Sequence, residues 1–225
     1  VVTKLYFPSN EDIDQLIEQG NVLPVYRKIP LNGETPISVI EKLTGENEDF
    51  FLLESGKGPE NIARYSFIGY KPFMTFRSKG NKIAIERKGE ESTEFDDTPL
   101  QLLKEIMQKY QAIEIEGLPK FYGGGVGYFS YDVGRFFEEL PTEAEDDLEL
   151  PEIFFAFTDT VIIFDHFAEE LMVVVNLMLD EGEAEKLYKE ATKRIDKIIE
   201  EIEGRDYQDE IREFEDIAFN EEDLD

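Results

Sequence analysis

Four apolar runs, at residues 50–53, 65–69, 73–77 and 82–87, follow one another with no helical pattern between them, and this constrains the fold most. Strands that succeed each other without a helix pair antiparallel, because a parallel pair needs a long crossover. Ser78-Lys79-Gly80-Asn81 joins the last two as a hairpin. Ile83 and Ile85 alternate with Lys82, Ala84 and Glu86, giving that strand one buried and one wetter face. The run 50–53 is unbroken and reads as a buried strand. It ends on Glu54 and Ser55, before Gly56-Lys57-Gly58-Pro59 forces a turn.

Helical patterns flank this block. Ser9-Asn10-Glu11-Asp12 is similar to a capping box and starts a helix at Ser9, with Ile13, Leu16 and Ile17 as its stripe. Residues 21–27 read as extended. Thr35-Pro36 is a cap followed by proline at the first helical position, and Ile37, Ile40 and Leu43 supply the buried face. Thr98-Pro99 repeats the device ahead of Leu100, Leu103, Ile106, Met107 and Tyr110. Residues 121–131 read as a glycine-bearing strand. Residues 152–164 and 171–178 form a strand pair that turns at Asp165-His166-Phe167-Ala168. The last helix, 182–204, places Leu187, Ala191, Ile195, Ile198 and Ile202 on one stripe. Helices set between runs of strands imply an α+β fold, antiparallel sheets packed with flanking helices, rather than a doubly wound one. One domain is expected over 1–204, followed by an acidic tail or linker over 205–225.

Composition excludes several functions. With 52 acidic against 23 basic residues the net charge is −29, which leaves no basic face for nucleic acid or an anionic membrane. The chain has no cysteine, so disulfides and thiolate metal sites are excluded, and one histidine makes no histidine cluster. No apolar run approaches the roughly 20 residues that span a bilayer. Val1-Val2-Thr3-Lys4-Leu5 lacks a basic region followed by an apolar core, so a cytoplasmic location is expected.

Glu54 and Ser55 are the sharpest candidate site residues. A carboxylate can pair with an ammonium group, and a hydroxyl serves either end of an amino acid. On spacing alone, a polar pair closing a strand is the better reading. Gly123-Gly124-Gly125-Val126-Gly127 is no phosphate loop, since neither Gly-Lys-Ser/Thr nor a completed GxGxxG follows. Its glycines mark a strand closely approached by other groups. His166 beside Asp165 has no partnered nucleophile nearby and reads as a turn residue bonded to backbone, and neither aspartate, Asp132 or Asp165, shows metal-ligand spacing.

Leu52-Leu53-Glu54-Ser55, Arg64-Tyr65-Ser66-Phe67-Ile68-Gly69, the Gly-Gly-x-x-Gly-Tyr-x-x-Tyr-Asp pattern from Gly123 to Asp132, and Phe164-Asp165-His166-Phe167 occur in this order. Together they resemble the amino-terminal region of anthranilate synthase component I, over residues 21–178. The resemblance implies that Leu53, Glu54 and Ser55 line a feedback site for L-tryptophan, that Pro36 borders it, and that Arg64 and Ser66 support its wall. It reverses the preference for a mere strand end. It also implies a longer parent enzyme that converts chorismate and ammonia to anthranilate and pyruvate. Ammonia would come from a glutamine amidotransferase subunit, and the chorismate pocket and Mg²⁺ ligands would lie in a catalytic half absent from this chain. No catalytic residue, metal ligand or cofactor is then expected here, and the chain alone is expected to be inactive. The corresponding portion of aminodeoxychorismate synthase, from the folate pathway, or a stand-alone amino-acid-binding module are the alternatives.

Overall fold

The computed structural model describes residues 5–45, 49–54, 64–138 and 146–204, leaving Ser55 and the expected tail outside the described residues. Ten strands in this portion form two five-stranded sheets, and every pairing between them is antiparallel. The strands are Val22–Pro30 (β1), Phe50–Glu54 (β2), Tyr65–Tyr70 (β3), Met74–Lys79 (β4), Lys82–Arg87 (β5), Thr93–Asp96 (β6), Gly124–Phe129 (β7), Ile153–Thr158 (β8), Thr160–Asp165 (β9) and Glu170–Met178 (β10). The first sheet has the order β1-β10-β9-β3-β2 and the second β6-β5-β4-β8-β7. The expected α+β class with antiparallel sheets and flanking helices holds.

Helices pack where their stripes demand. Pro36–Leu43 (α2) begins with a full capping box: the Thr35 hydroxyl accepts from the Ser38 N–H at 3.1 Å, and the Ser38 hydroxyl accepts from the Thr35 N–H at 2.9 Å. Its buried residues are Pro36, Val39, Ile40 and Leu43, whereas Ile37 is exposed. With about 100° per residue, Ile37 falls a quarter-turn beyond the stripe that starts at Pro36, and Val39 takes its place. Ala184–Gly204 (α4) buries Tyr188, Ala191, Ile195, Ile198, Ile199 and Ile202. Together α2 and α4 form one core with Leu23, Val25, Ile68, Ile162, Phe164 and Val173 of the first sheet. The opposite face of that sheet carries Tyr26, Val161, Ile163, Met172 and Val174 and is covered by Ile115, Leu118, Phe121 and Tyr122. Being covered on both faces, β9 and β10 read as near-continuous apolar runs rather than alternating ones. Pro99–Lys109 (α3) sets Leu103 and Ile106 against Phe76, Ile83, Ile153 and Phe157 of the second sheet.

Beyond Ile37, four further expectations change. The helix read from Ser9 starts at Ile13 (α1, Ile13–Leu16), because Asp12 takes both the Ser9 hydroxyl at 2.6 Å and the Ser9 N–H at 3.1 Å and holds residues 9–12 in a turn. Thr98 precedes the Pro99 helix start, but its side chain makes no cap hydrogen bond. The strand read over 152–164 is two strands in different sheets. At Asp159 the chain turns: the Thr158 hydroxyl donates to the Thr160 carbonyl at 2.8 Å, and Arg194 grips the Asp159 carboxylate at 2.7 and 2.8 Å. The run 50–53 is an edge rather than a buried strand. Its Phe50 and Leu53 are 50% and 41% exposed, since β3 is its one neighbour among the described residues.

Candidate functional site

β2 and β3 pair so that Glu54 stands opposite Ser66 and Leu53 opposite Phe67. Directly opposed residues share a face and successive residues alternate. Glu54 and Ser66 therefore lie on the face covered by α2, the same helix that begins at Pro36, while Leu53 lies on the other face. Thus Glu54, Ser66 and Pro36 share one side of the sheet. Leu53 joins the side of Phe51 and Gly69, and a Cβ on Gly69 would come within 2.2 Å of the Phe51 ring. At the start of β2, the opposite end from Glu54, a cavity of ≈ 360 Å³ opens towards β7, between Phe50, Phe51, Tyr128 and Phe154.

Ser66 is buried, at 1% exposure, and its hydroxyl lies 2.7 Å from Nε2 of His166. The imidazole stacks on Phe164, with centroids 6.0 Å apart at 23°. The His166 backbone N–H donates to the Arg64 carbonyl at 2.9 Å. His166 is thus bonded to backbone, as expected of a turn residue, and its ring also reaches Ser66, which spacing did not reveal.

Arg64 donates from Nε and Nη2 to the two carboxylate oxygens of Asp165, at 3.0 and 2.6 Å. Its guanidinium lies 4.9 Å from the Tyr65 ring centroid and 5.7 Å from that of Phe167. The Asp165 carboxylate also accepts from the N–H groups of Phe167 and Ala168, at 3.2 and 3.1 Å. Burial opposes its ionisation, but the Arg64 hydrogen bonds and these N–H groups outweigh burial and hold the carboxyl below its ordinary range. The hydrogen bonds to Asp165 raise Arg64 in turn. Arg64 is therefore a partner of Asp165, which ties β3 to the turn after β9, and the fork is spent within the protein. Asp165 and His166 complete the network, and the signal for them was the adjacent Asp-His pair at the turn.

Among the described residues no group of three or more His, Asp or Glu side chains is placed to hold a metal ion. These residues do not fit Mg²⁺. Nor is any described helix long and apolar enough to cross a membrane.

A two-sheet α+β unit with a polar cluster at the end of one sheet defines the class. The chain belongs to the chorismate binding enzyme family, which matches residues 48–221. Anthranilate synthase component 1 of Acetivibrio thermocellus is 38% identical over 198 residues, covering 88% of this chain and 40% of that protein. Its counterpart in Aquifex aeolicus is 32% identical, with the same two shares. The crystal structure of anthranilate synthase component I from Streptococcus pneumoniae aligns with a TM-score of 0.49 at 24% identity, over 78% of this chain and 38% of that one. The chain spans about 40% of the length of these curated relatives.

Proposed function

We propose that this chain is the amino-terminal, tryptophan-sensing portion of an anthranilate synthase component I. The observation that carries the reading is that relatives bearing this name match 88% of the chain. The geometry supports a ligand site at the strand end. Glu54 is an exposed carboxylate at the last position of β2, on the same side of the sheet as buried Ser66 and the proline-led start of α2. Glu54 would take the ammonium group of L-tryptophan, Ser55 its carboxylate or amine, and Pro36 and Leu53 the border. Arg64 and Ser66 would hold the wall through Asp165 and His166.

In this reading the longer protein converts chorismate and ammonia to anthranilate and pyruvate. Mg²⁺ is held by residues other than those described, and ammonia comes from a glutamine amidotransferase subunit. The relatives' own names, component 1 and alpha subunit, are those of parts of an assembly. Feedback is then linkage: tryptophan favours one arrangement of the protein and chorismate another, with a coupling of about 1–3 kcal/mol. Glu54 and Ser55 bias that equilibrium without touching a reacting atom.

The chain has no tryptophan of its own, so the ligand's fluorescence reports binding directly. In the longer protein, Glu54→Ala removes a charge-assisted hydrogen bond of about 1.5–3 kcal/mol and is expected to weaken tryptophan inhibition by roughly 10–150-fold. Ser55→Ala is expected to relieve it in the same direction. Inhibition unchanged in both variants would take these residues out of the site.

A further inference from the structure

The cavity at the start of β2 takes no part in the strand-end cluster, and its walls come from both sheets. Ile153 and Phe157 of β8 share the core of α3, so the alternate residues Phe154 and Ala156 lie on the other face of the second sheet. Tyr128 of β7 stands opposite Phe154 on that face. Phe51 and Gly69 of the first sheet close the far side of the ≈ 360 Å³ space, a volume in the range of small-molecule pockets. The rings in these walls are held from behind. A Cβ on Gly69 would collide with the Phe51 ring, so its absence lets that ring lie against β3, and Phe121 tilts on it with centroids 6.2 Å apart. Tyr128 stacks on Phe154 with centroids 6.0 Å apart at 29°, and its hydroxyl donates to the Pro151 carbonyl at 3.1 Å. Walls fixed in advance lower the ordering cost of taking a ligand.

The charge of the lining selects the ligand. Among the described residues Asp49 is its one charged side chain, and no Lys, Arg or His joins it. The Asp49 carbonyl accepts the Lys71 N–H at 3.0 Å, which fixes the backbone that carries the carboxylate. Aromatic faces are the negative ends of their quadrupoles and attract cations. A neutral ligand would cost the nearby carboxylate part of its hydration with no return, and an anion would be repelled. The net charge of −29 raises the local concentration of cations further.

We propose that this cavity binds an organic ammonium ion that carries no carboxylate, with the charge between Asp49 and the faces of Tyr128 and Phe154 and the apolar body against Phe51. An amino acid would set its own carboxylate against Asp49 and is disfavoured here. The site is at the other end of β2 from Glu54, and its test contains no tryptophan, so it stands or falls apart from the feedback reading. The protein is titrated with benzyltrimethylammonium at neutral pH and constant ionic strength, followed by amide NMR. Saturable shifts are expected at residues 49–51, 69, 126–128 and 154–156. Benzenesulfonate, of similar size and opposite charge, is expected to cause none, and neutral benzyl alcohol is expected to bind at least about fivefold more weakly.

Asp49→Asn is expected to raise the benzyltrimethylammonium dissociation constant by at least about fivefold. Asp49 is exposed, so the unfolding midpoint of this variant is expected to stay at the wild-type value. Tyr128→Leu, which keeps apolar bulk and removes an aromatic face, is expected to raise the constant by at least about threefold. Asp96→Asn makes the same change of charge outside the cavity and is expected to leave binding as it was. Shifts that fail to saturate, an unaltered constant in Asp49→Asn, or benzyl alcohol binding as tightly as the cation overturn the proposal.

Discussion

Asp165→Asn is the perturbation that most directly tests the network beneath the candidate site. The carboxylate is 1% exposed and accepts two hydrogen bonds from Arg64 and two from backbone N–H groups. An amide keeps one acceptor oxygen and turns an NH₂ towards donors, so one Arg64 bond and its charge assistance are lost. Removing one partner of a buried ion pair costs about 3–5 kcal/mol. Arg64 is 42% exposed, however, and returns partly to water. The expected loss is therefore smaller, about 2–3 kcal/mol near neutrality. At about 2–4 °C per kcal/mol for a chain of this size, the unfolding midpoint should fall by roughly 4–12 °C, read by far-ultraviolet circular dichroism.

The sign of the pH dependence is a second readout of the same variant. The Asp165 carboxyl is lowered from 3.8 in the folded protein. Its contribution is therefore present above that ordinary value and lost as pH falls through the lower, folded one. The stability gap between the wild type and Asp165→Asn should be constant near neutrality and narrow as pH drops below about 3.8. A variant as stable as the wild type, or a gap that widens in acid, would refute the assignment of Arg64 and Asp165 as a stabilising pair.

Two further outcomes are expected. Gly127→Ala would place a Cβ 1.8 Å from the Phe154 carbonyl oxygen. Backbone must shift between β7 and β8, so a loss of about 3 kcal/mol is expected, and a midpoint within a degree of wild type would contradict the close approach. Supplied with chorismate, ammonia and Mg²⁺, this chain is expected to yield no anthranilate fluorescence, and product at enzymatic rates would overturn the division of labour proposed for the longer protein.

Local patterns were legible where one segment decides its own structure. Thr35-Pro36 starts a helix, Gly80-Asn81 closes the β4–β5 hairpin, and the α4 stripe buries Ala191, Ile195, Ile198 and Ile202, because caps, turns and periodicity are set within a few residues. What escaped depends on the partner. The Asp159 corner is held by Arg194, 35 residues away, and Thr158-Asp159-Thr160, the polar break in the run 152–164, contains no Gly or Pro to mark it as a turn. β6, polar in sequence as Thr93-Glu94-Phe95-Asp96, is a strand because β5 offers it an edge. The exposure of β2 follows from its place at the end of the sheet.

At the site the same division holds, and it explains what the ion pair does. Arg64 and Asp165 are 101 residues apart and meet only because Tyr65 pairs with Asp165 in the β3–β9 ladder. That register also sets Ser66 against Phe164 and, through β2, against Glu54. A slip of one residue would send Ser66 to the face occupied by Tyr26, Ile163 and Met172 and strand its hydroxyl among apolar groups. It would also carry Arg64 away from the carboxylate. The ion pair thus favours the one register in which a serine, a histidine and an exposed glutamate share a face, so a residue that is itself spent within the protein still sets the geometry of the strand end at which the ligand site is proposed.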